Sequence, residues 1–402
     1  PLGTPCRAAS GLLCDLPEPE VCEGSSSSPV CPADKVKTAG TVCGVGFDAS
    51  TGVCFLPTSI CNGSSPQCPV QVMAWETVPL SPPLDPALAF DHGAGAVDVL
   101  TNLLRAVPDN GDPAINVVFE YSFVTGTHIL RQSENTEGVN RTGRALTGGL
   151  VKDQLQVFGG TRLVSKQIRT VSEQASAGSS AFSVWTQGPH VQYAASAVID
   201  SVQFPYMVLI GGYDPPGQTV LNTVTVLDSR YTISYSDLLA PTYDARAVYI
   251  RAYGEFSEAI FVFGGYGIFN KLSSLQSSVR MLYMYGNQWN DVIQMPADGL
   301  RNPFFVTEFP FCGKSGIAVV GGVGMNGQPT LRTDILVYDI AATTPFVWVR
   351  APDMAPFPQG LLPQGCIQGT VTRFWPQEVY ALCSRPNSPA QLSRLMFQIQ
   401  NR

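Results

Sequence analysis

The sequence predicts an all-β chain, and two observations carry that expectation. The first is a short apolar strand ending in two glycines, met four times: Gln156-Val-Phe-Gly159-Gly160, Met207-Val-Leu-Ile-Gly211-Gly212-Tyr213, Phe261-Val-Phe-Gly264-Gly265-Tyr266 and Ala318-Val-Val-Gly321-Gly322. The first glycines of successive copies stand 52, 53 and 57 residues apart. Recurrence at about 50 residues marks a propeller or another repeat array. The second observation is that Gly and Pro, 38 and 32 in 402 residues, punctuate short β-rich runs, as turns between strands do.

The chain opens on a different pattern. Cys6, Cys14, Cys22 and Cys31 form one set, and Cys43, Cys54, Cys61 and Cys68 a second, offset by 37 residues at both first and last members. Cys22-Glu-Gly-Ser-Ser returns as Cys61-Asn-Gly-Ser-Ser. An even count at repeated spacing in loop-like sequence reads as a disulfide framework, which persists in oxidising compartments. Zinc sites bring cysteines in closer pairs. The tightest gaps here, Cys54 to Cys61 and Cys61 to Cys68, hold six intervening residues each. Connectivity stays open. Residues 1–68 carry few aromatics and little apolar periodicity, so cross-links must substitute for a core. They divide into repeats 1–36 and 37–68, and residues 69–402 form a second domain. Asn62-Gly-Ser and Asn140-Arg-Thr are glycosylation sequons, with Asn62 in a cystine-knit loop. Asp15, Glu18 and Glu20 offer clustered oxygens to Ca2+, against the blander reading of surface carboxylates and turn caps.

From about residue 70, each unit supplies four strands. The glycine pair ends one of them, because it lets the chain leave at backbone angles that a Cβ forbids and lets backbones approach closely. A strand such as Thr223–Asp228 or Asp334–Asp339 follows, and Arg280–Tyr285 fills the same slot. Next comes a strand with a Trp and then a Pro: Trp185 with Pro189, Trp289 with Pro296, Trp348 with Pro352. Small residues, as in Tyr193-Ala-Ala-Ser-Ala-Val198, open the next unit.

This pattern resembles the kelch motif over roughly residues 70–402. The resemblance implies a β-propeller. Val117–Tyr121 and Val379–Ser384 occupy the glycine-pair slot of an earlier and a later unit without the glycines, which brings the expected count to six blades. The last strand, Leu395–Ile399, lacks a Trp-bearing successor, and Met73-Ala-Trp75 near the propeller's start is that strand type. An N-terminal strand is therefore expected to complete the last blade, since closure removes exposed sheet edges. The cysteine segment, through Cys14-Asp15-Leu-Pro-Glu18, Cys22-Glu-Gly-Ser and Cys31-Pro-Ala-Asp34, resembles the C-terminal half of disintegrin-like domains. The loop before Cys14-Asp15 is Arg7-Ala-Ala-Ser-Gly-Leu-Leu13, without an Arg-Gly-Asp, so the tandem copies read as a spacer rather than an integrin-binding tip.

Composition narrows the function. Charged residues make up 14%, the net charge is −7, and no basic run or face suits nucleic acid. No stretch reaches the roughly 20 apolar residues of a membrane span. Without an initiator Met or signal peptide, the chain reads as processed or trimmed. Three histidines, His92, His128 and His190, are a thin supply for catalysis. Copper radical oxidases use kelch-type propellers, but they need several His and Tyr ligands and a Cys cross-linked to Tyr. Of the three later cysteines, Cys366 and Cys383 border neighbouring strands and are expected to pair, leaving Cys312 free or bonded to another chain. No catalytic site, metal site or resident cofactor is expected. The sequence points to a non-enzymatic extracellular or cell-surface glycoprotein that contacts other extracellular proteins, copies of itself or glycans. A subunit of a flagellar mastigoneme or cell-wall filament is the first reading, and an adhesion or receptor module is the second.

Overall fold

The structure is a computed structural model of the whole chain. It describes all residues except 1–4, 8–19, 22, 26–27, 31–36, 38, 40, 49–52, 62–68, 89, 91–93, 99–100, 109–116, 133–140, 152–153, 163–170, 177–178, 180–182, 200–205, 228–233, 252–257, 270–271, 310, 313, 339–344, 358–361, 364, 371–377, 386 and 402. The described residues fall into two compact units: Pro1–Ala74 with Phe311–Lys314 and Phe397–Arg402, and Trp75–Pro310 with Ser315–Met396.

The first unit contains the short strands β1 (Pro5–Arg7), β2 (Glu20–Val21), β3 (Glu23–Ser25) and β4 (Ser28–Val30), paired as β1-β2 and β3-β4. It also holds β5 (Val42–Asp48), β6 (Val53–Ile60) and the start of β7 (Pro69–Val78). β5 and β6 run antiparallel, with Val42 opposite Ile60 and Phe47 opposite Cys54, and Cys54 in turn faces Gln71 of β7. Cys54 is fully buried and bonded to Cys312. Cys61, also buried, is disulfide-bonded too, and its N–H donates to the Thr41 carbonyl at 2.8 Å. The Phe311 ring lies 5.8 Å from that of Phe397.

Among its described residues, the second unit is all-β apart from one 3-10 turn at Ala297–Gly299. Its five small sheets form a β-propeller arrangement. Blade one is β8 (Ala94–Asp98), β9 (Leu103–Val107), β10 (Val117–Ser122) and β11 (Thr127–Gln132). Blade two is β12 (Arg141–Val151), β13 (Gln154–Arg162), β14 (Val171–Ser176) and β15 (Ser183–Gln187). Blade three has β16 (Ala195–Ile199), β17 (Tyr206–Asp214) and β18 (Thr219–Leu227). Blade four pairs β19 (Arg246–Arg251) and β20 (Glu258–Phe263) with strands beyond a hairpin, β21 (Tyr266–Phe269) and β22 (Leu272–Leu275); these are β23 (Ser278–Tyr283) and β24 (Gln288–Gln294). Blade five joins β25 (Arg301–Asn302) and β26 (Phe305–Glu308) to β27 (Ser315–Gly324), then β28 (Pro329–Tyr338) and β29 (Phe346–Ala351).

The blade count is five, not the expected six. The remaining strands, β30 (Gly365–Thr370), β31 (Val379–Arg385) and β32 (Ser388–Asn401), belong to a six-stranded sheet ordered β30-β31-β32-β7-β6-β5 rather than to a self-contained blade. β7 begins in the first unit, where its Gln71 pairs with Cys54 of β6, and it neighbours β32, so the last strands are part of a larger sheet. β7 with Trp75 does neighbour β32. The first strands follow one another as β8, β12, β16, β19, β26 and β30, and β30 returns to β8, so the ring closes within this unit. Val117–Tyr121 also sits one place from its expected slot: it lies in β10, the third strand of blade one, and β9 takes the second place.

Packing between sheets explains the apolar runs. A central strand has a neighbouring blade on both sides, so it is buried almost throughout, as Tyr206–Gly212, Ala259–Phe263 and Gly316–Gly322 are. Ala195, Ala197, Val208 and Ile210 of blade three pack with Ala247, Ile260 and Val262 of blade four. Phe261, Phe263 and Val248 pack with Val306, Val319 and Leu336 of blade five. Phe119, Leu104 and Val97 of blade one pack with Tyr380, Leu382 and Leu392 of β31 and β32.

Candidate binding surface at the glycine-pair ends

The three described glycine pairs share one geometry. Gly211 and Gly212, Gly264 and Gly265, and Gly321 and Gly322 all have positive φ, from +52° to +130°. Gly159 and Gly160 lie in β13. In each of the three pairs, the second glycine faces the segment that leads into its own blade. A Cβ on Gly212 would overlap Val191 and sit 2.9 Å from the Gln192 carbonyl oxygen. One on Gly265 would meet Thr242 Cγ2 at 2.6 Å, Ala245 Cβ at 2.8 Å and the Tyr243 oxygen at 2.9 Å. One on Gly322 would overlap the Asn302 carbonyl and meet Pro303 Cα at 2.8 Å. The first glycines of blades three and four face the next lead-in segment, Gly211 toward Thr242 and Gly264 toward Asn302 and Pro303. The Gly212 N–H donates to the Thr242 oxygen at 2.8 Å, and the Gly265 N–H to Asn302 Oδ1 at 3.0 Å.

That close approach assembles side chains from four sequence segments, around 193, 243–246, 266 and 302. Tyr243 and Tyr266 exchange backbone hydrogen bonds at 3.0 and 2.8 Å, which places their side chains on one side. Their rings lie 5.7 Å apart at 36°, and Tyr193 meets Tyr243 edge-on at 6.5 Å. Asp244 accepts from Arg246 Nη1 at 2.9 Å and from Asn302 Nδ2 at 2.8 Å. Arg246 Nε donates to the Phe304 carbonyl at 2.7 Å, tying blade four to blade five. Burial, and secondarily the Asp244 carboxylate, hold the Tyr266 phenol above its ordinary pKa, so it stays a neutral hydroxyl. Tyr193 and Asp244 themselves have φ of 54° and 57°, which is uncommon for residues with a Cβ. Chemically, this surface offers aromatic faces beside a charge-balanced set of hydrogen-bond donors and acceptors.

Other buried polar side chains brace the blades. Arg105, fully buried, bonds Glu120 at 3.1 Å and the Ser176 carbonyl of blade two at 2.7 Å. Arg301 Nη1 meets Asp334 at 2.8 Å while its other nitrogens donate to the Gly321 and Val319 carbonyls. Burial lowers the Arg280 pKa to about 10, although Nη1 donates to Thr242 Oγ1 at 2.6 Å. The outer tryptophans reach back along the ring: Trp289 Nε1 to the Ser236 carbonyl at 2.8 Å, Trp348 Nε1 to Gln294 at 2.9 Å, and Trp75 Nε1 to Thr333 Oγ1 at 3.2 Å.

The other expected site residues fall as follows. Cys366 and Cys383 face one another across β30 and β31 and are bonded. Cys312 is neither free nor bonded to another chain: its partner is Cys54, 258 residues away, because Phe311–Lys314 packs in the first unit. Cys6 and Cys43 lie in β1 and β5. Cys14, Cys22, Cys31, Cys68, Asn62, Asn140, Asp15, Glu18 and His92 lie outside the described residues, and the Glu20 side chain is likewise undescribed. His128, in β11, stacks on Phe119 at 5.7 Å, and burial lowers its pKa; His190 is exposed before β16. Among the described residues no group of three His, Cys, Asp or Glu side chains is placed to hold a metal, and no helix is long and apolar enough to cross a membrane. Sequence reasoning missed the Tyr243, Asp244, Arg246, Tyr266 and Asn302 cluster. Its only linear trace is Tyr243-Asp-Ala-Arg246, two opposite charges beside a Tyr in a chain with 14% charged residues. A scan against protein-family models finds no match for the chain, and a search of curated proteins finds none either.

Proposed function

We propose that this chain is a non-enzymatic extracellular interaction glycoprotein, a subunit of a cell-surface or extracellular assembly such as a flagellar mastigoneme or a cell-wall filament. In this reading the propeller is of the kelch type and the cysteine segment is a pair of disintegrin-like repeats. The observation that carries it is the way polar side chains bond across from blade to blade. Arg105, Arg246, Trp75, Trp289 and Trp348 spend their donors on neighbouring blades or the segments between them, which makes the propeller a cross-braced scaffold. The disulfides Cys54–Cys312 and Cys366–Cys383 are compatible with an oxidising compartment. Native gel filtration and electron microscopy of material from its source test this reading. Polymers or regular arrays support it, and a freely soluble monomer without them overturns it. The Tyr, Asp and Arg surface favours a second reading, an adhesion or receptor module that takes a protein or glycan on one propeller face; binding by the isolated protein to a glycan array or to cells tests that one.

A further inference from the structure

From the surface built by Tyr243, Tyr266, Asp244, Arg246 and Asn302 we infer a binding site for a neutral saccharide, one sugar ring lying on the tyrosines with adjacent hydroxyls on the Asp and Arg. The inference rests on the second reading above and names the ligand class of that site.

Three features carry it. The first is the aromatic platform. Tyr243 and Tyr266 are fixed by a backbone bridge, and both remain partly open to solvent. The C–H face of a pyranose is apolar, and a phenol ring presents an electron-rich face to it. The second is the polar complement. Arg246 spends Nε on Phe304 and Nη1 on Asp244 and the backbone, and no bond engages Nη2 among the described residues. Each Asp244 oxygen accepts one bond, to Arg246 or Asn302, and a carboxylate oxygen has room for a second. A pair of adjacent hydroxyls fits this set: one donates to Asp244 and its neighbour accepts from Arg246 Nη2. The third is charge. The Asp244 carboxylate and the Arg246 guanidinium offset each other at 2.9 Å, so the surface favours neither an anion nor a cation. The left-handed backbone at Tyr193 and Asp244 holds the platform's edge in a conformation that side-chain-bearing residues keep only where the surroundings enforce it.

The test uses the full chain and saturation-transfer NMR with soluble probes at millimolar concentration: cellohexaose, mannohexaose, xylohexaose and chitohexaose as neutral oligosaccharides, and hexagalacturonate as a charged comparator. At least one neutral probe is expected to bind, with an affinity insensitive to salt, and Tyr243→Ala and Tyr266→Leu are each expected to weaken it by about tenfold or more. Tyr285→Ala is the control, because Tyr285 is 86% exposed on the turn between β23 and β24; it is expected to bind like the parent. Tyr266→Leu keeps an apolar side chain of similar bulk, and circular dichroism verifies its fold. The inference is overturned if no neutral probe binds the parent, if only hexagalacturonate binds, if a folded Tyr266→Leu protein binds undiminished, or if Tyr285→Ala loses binding as Tyr243→Ala does. Binding to cells or to a protein partner with no neutral probe bound would spare the adhesion reading and remove only the saccharide.

Discussion

Gly322→Ala is expected to destabilise the propeller far more than Gly327→Ala, though both glycines have positive φ, +130° and +73°. At Gly327 nothing lies within 4 Å of an added Cβ, so the cost is backbone strain alone, about 1–2 kcal/mol. At Gly322 the Cβ overlaps the Asn302 carbonyl oxygen and stands 2.8 Å from Pro303 Cα, both backbone atoms that no rotamer change can move. Strain of about 1–3 kcal/mol and overpacking of about 1–3 kcal/mol then add to about 2–6 kcal/mol. Urea unfolding followed by tryptophan fluorescence reads the difference as a shift in midpoint at unchanged slope. If Gly322→Ala proves as mild as Gly327→Ala, the close approach between the glycine pair and the lead-in segment is refuted, and with it the way the binding surface is assembled.

Asp334→Ala strands Arg301, whose side chain is 1% exposed, and is expected to cost about 3–5 kcal/mol in the same assay. Burial raises the Glu308 carboxyl from 4.5 to about 7. The folded state therefore binds the proton more tightly than the unfolded one, and stability falls as pH rises from about 4.5 to about 7. Glu308→Gln is expected to flatten that fall and to stabilise the protein at pH 8 by about 1–3 kcal/mol; an unchanged pH profile would contradict this. Peptide mapping without reduction is expected to recover Cys54 joined to Cys312 and Cys366 joined to Cys383, and any other partner for Cys312 would contradict the packing of Phe311–Lys314.

What was legible in the sequence is what local chemistry dictates. The glycine pairs announce themselves because only Gly tolerates their backbone angles and the Cβ-free contact at 211–212, 264–265 and 321–322. Trp75 is expected beside the last strand because it matches Trp289 and Trp348, and all three indoles do bond backwards along the ring. In blade one the strand lies one place from its expected slot because, without a glycine pair, Val117–Tyr121 and Leu103–Val107 are equally apolar runs. The strands expected as a sixth blade are part of a larger sheet because β7 also pairs with β6, through Gln71 and Cys54, a pairing that no motif marks. The Cys54–Cys312 bond and the tyrosine surface were invisible for a shared reason. Each joins residues that tertiary packing alone brings together, across 258 residues in one case and across the blade junctions of 193–302 in the other.

The proposed function meets its most direct test in electron microscopy of the protein isolated from its source under non-reducing conditions. Propeller-sized particles repeating at a regular spacing in a filament or surface layer are the expected result. Single dispersed particles, with a native mass equal to that of one chain, would contradict it.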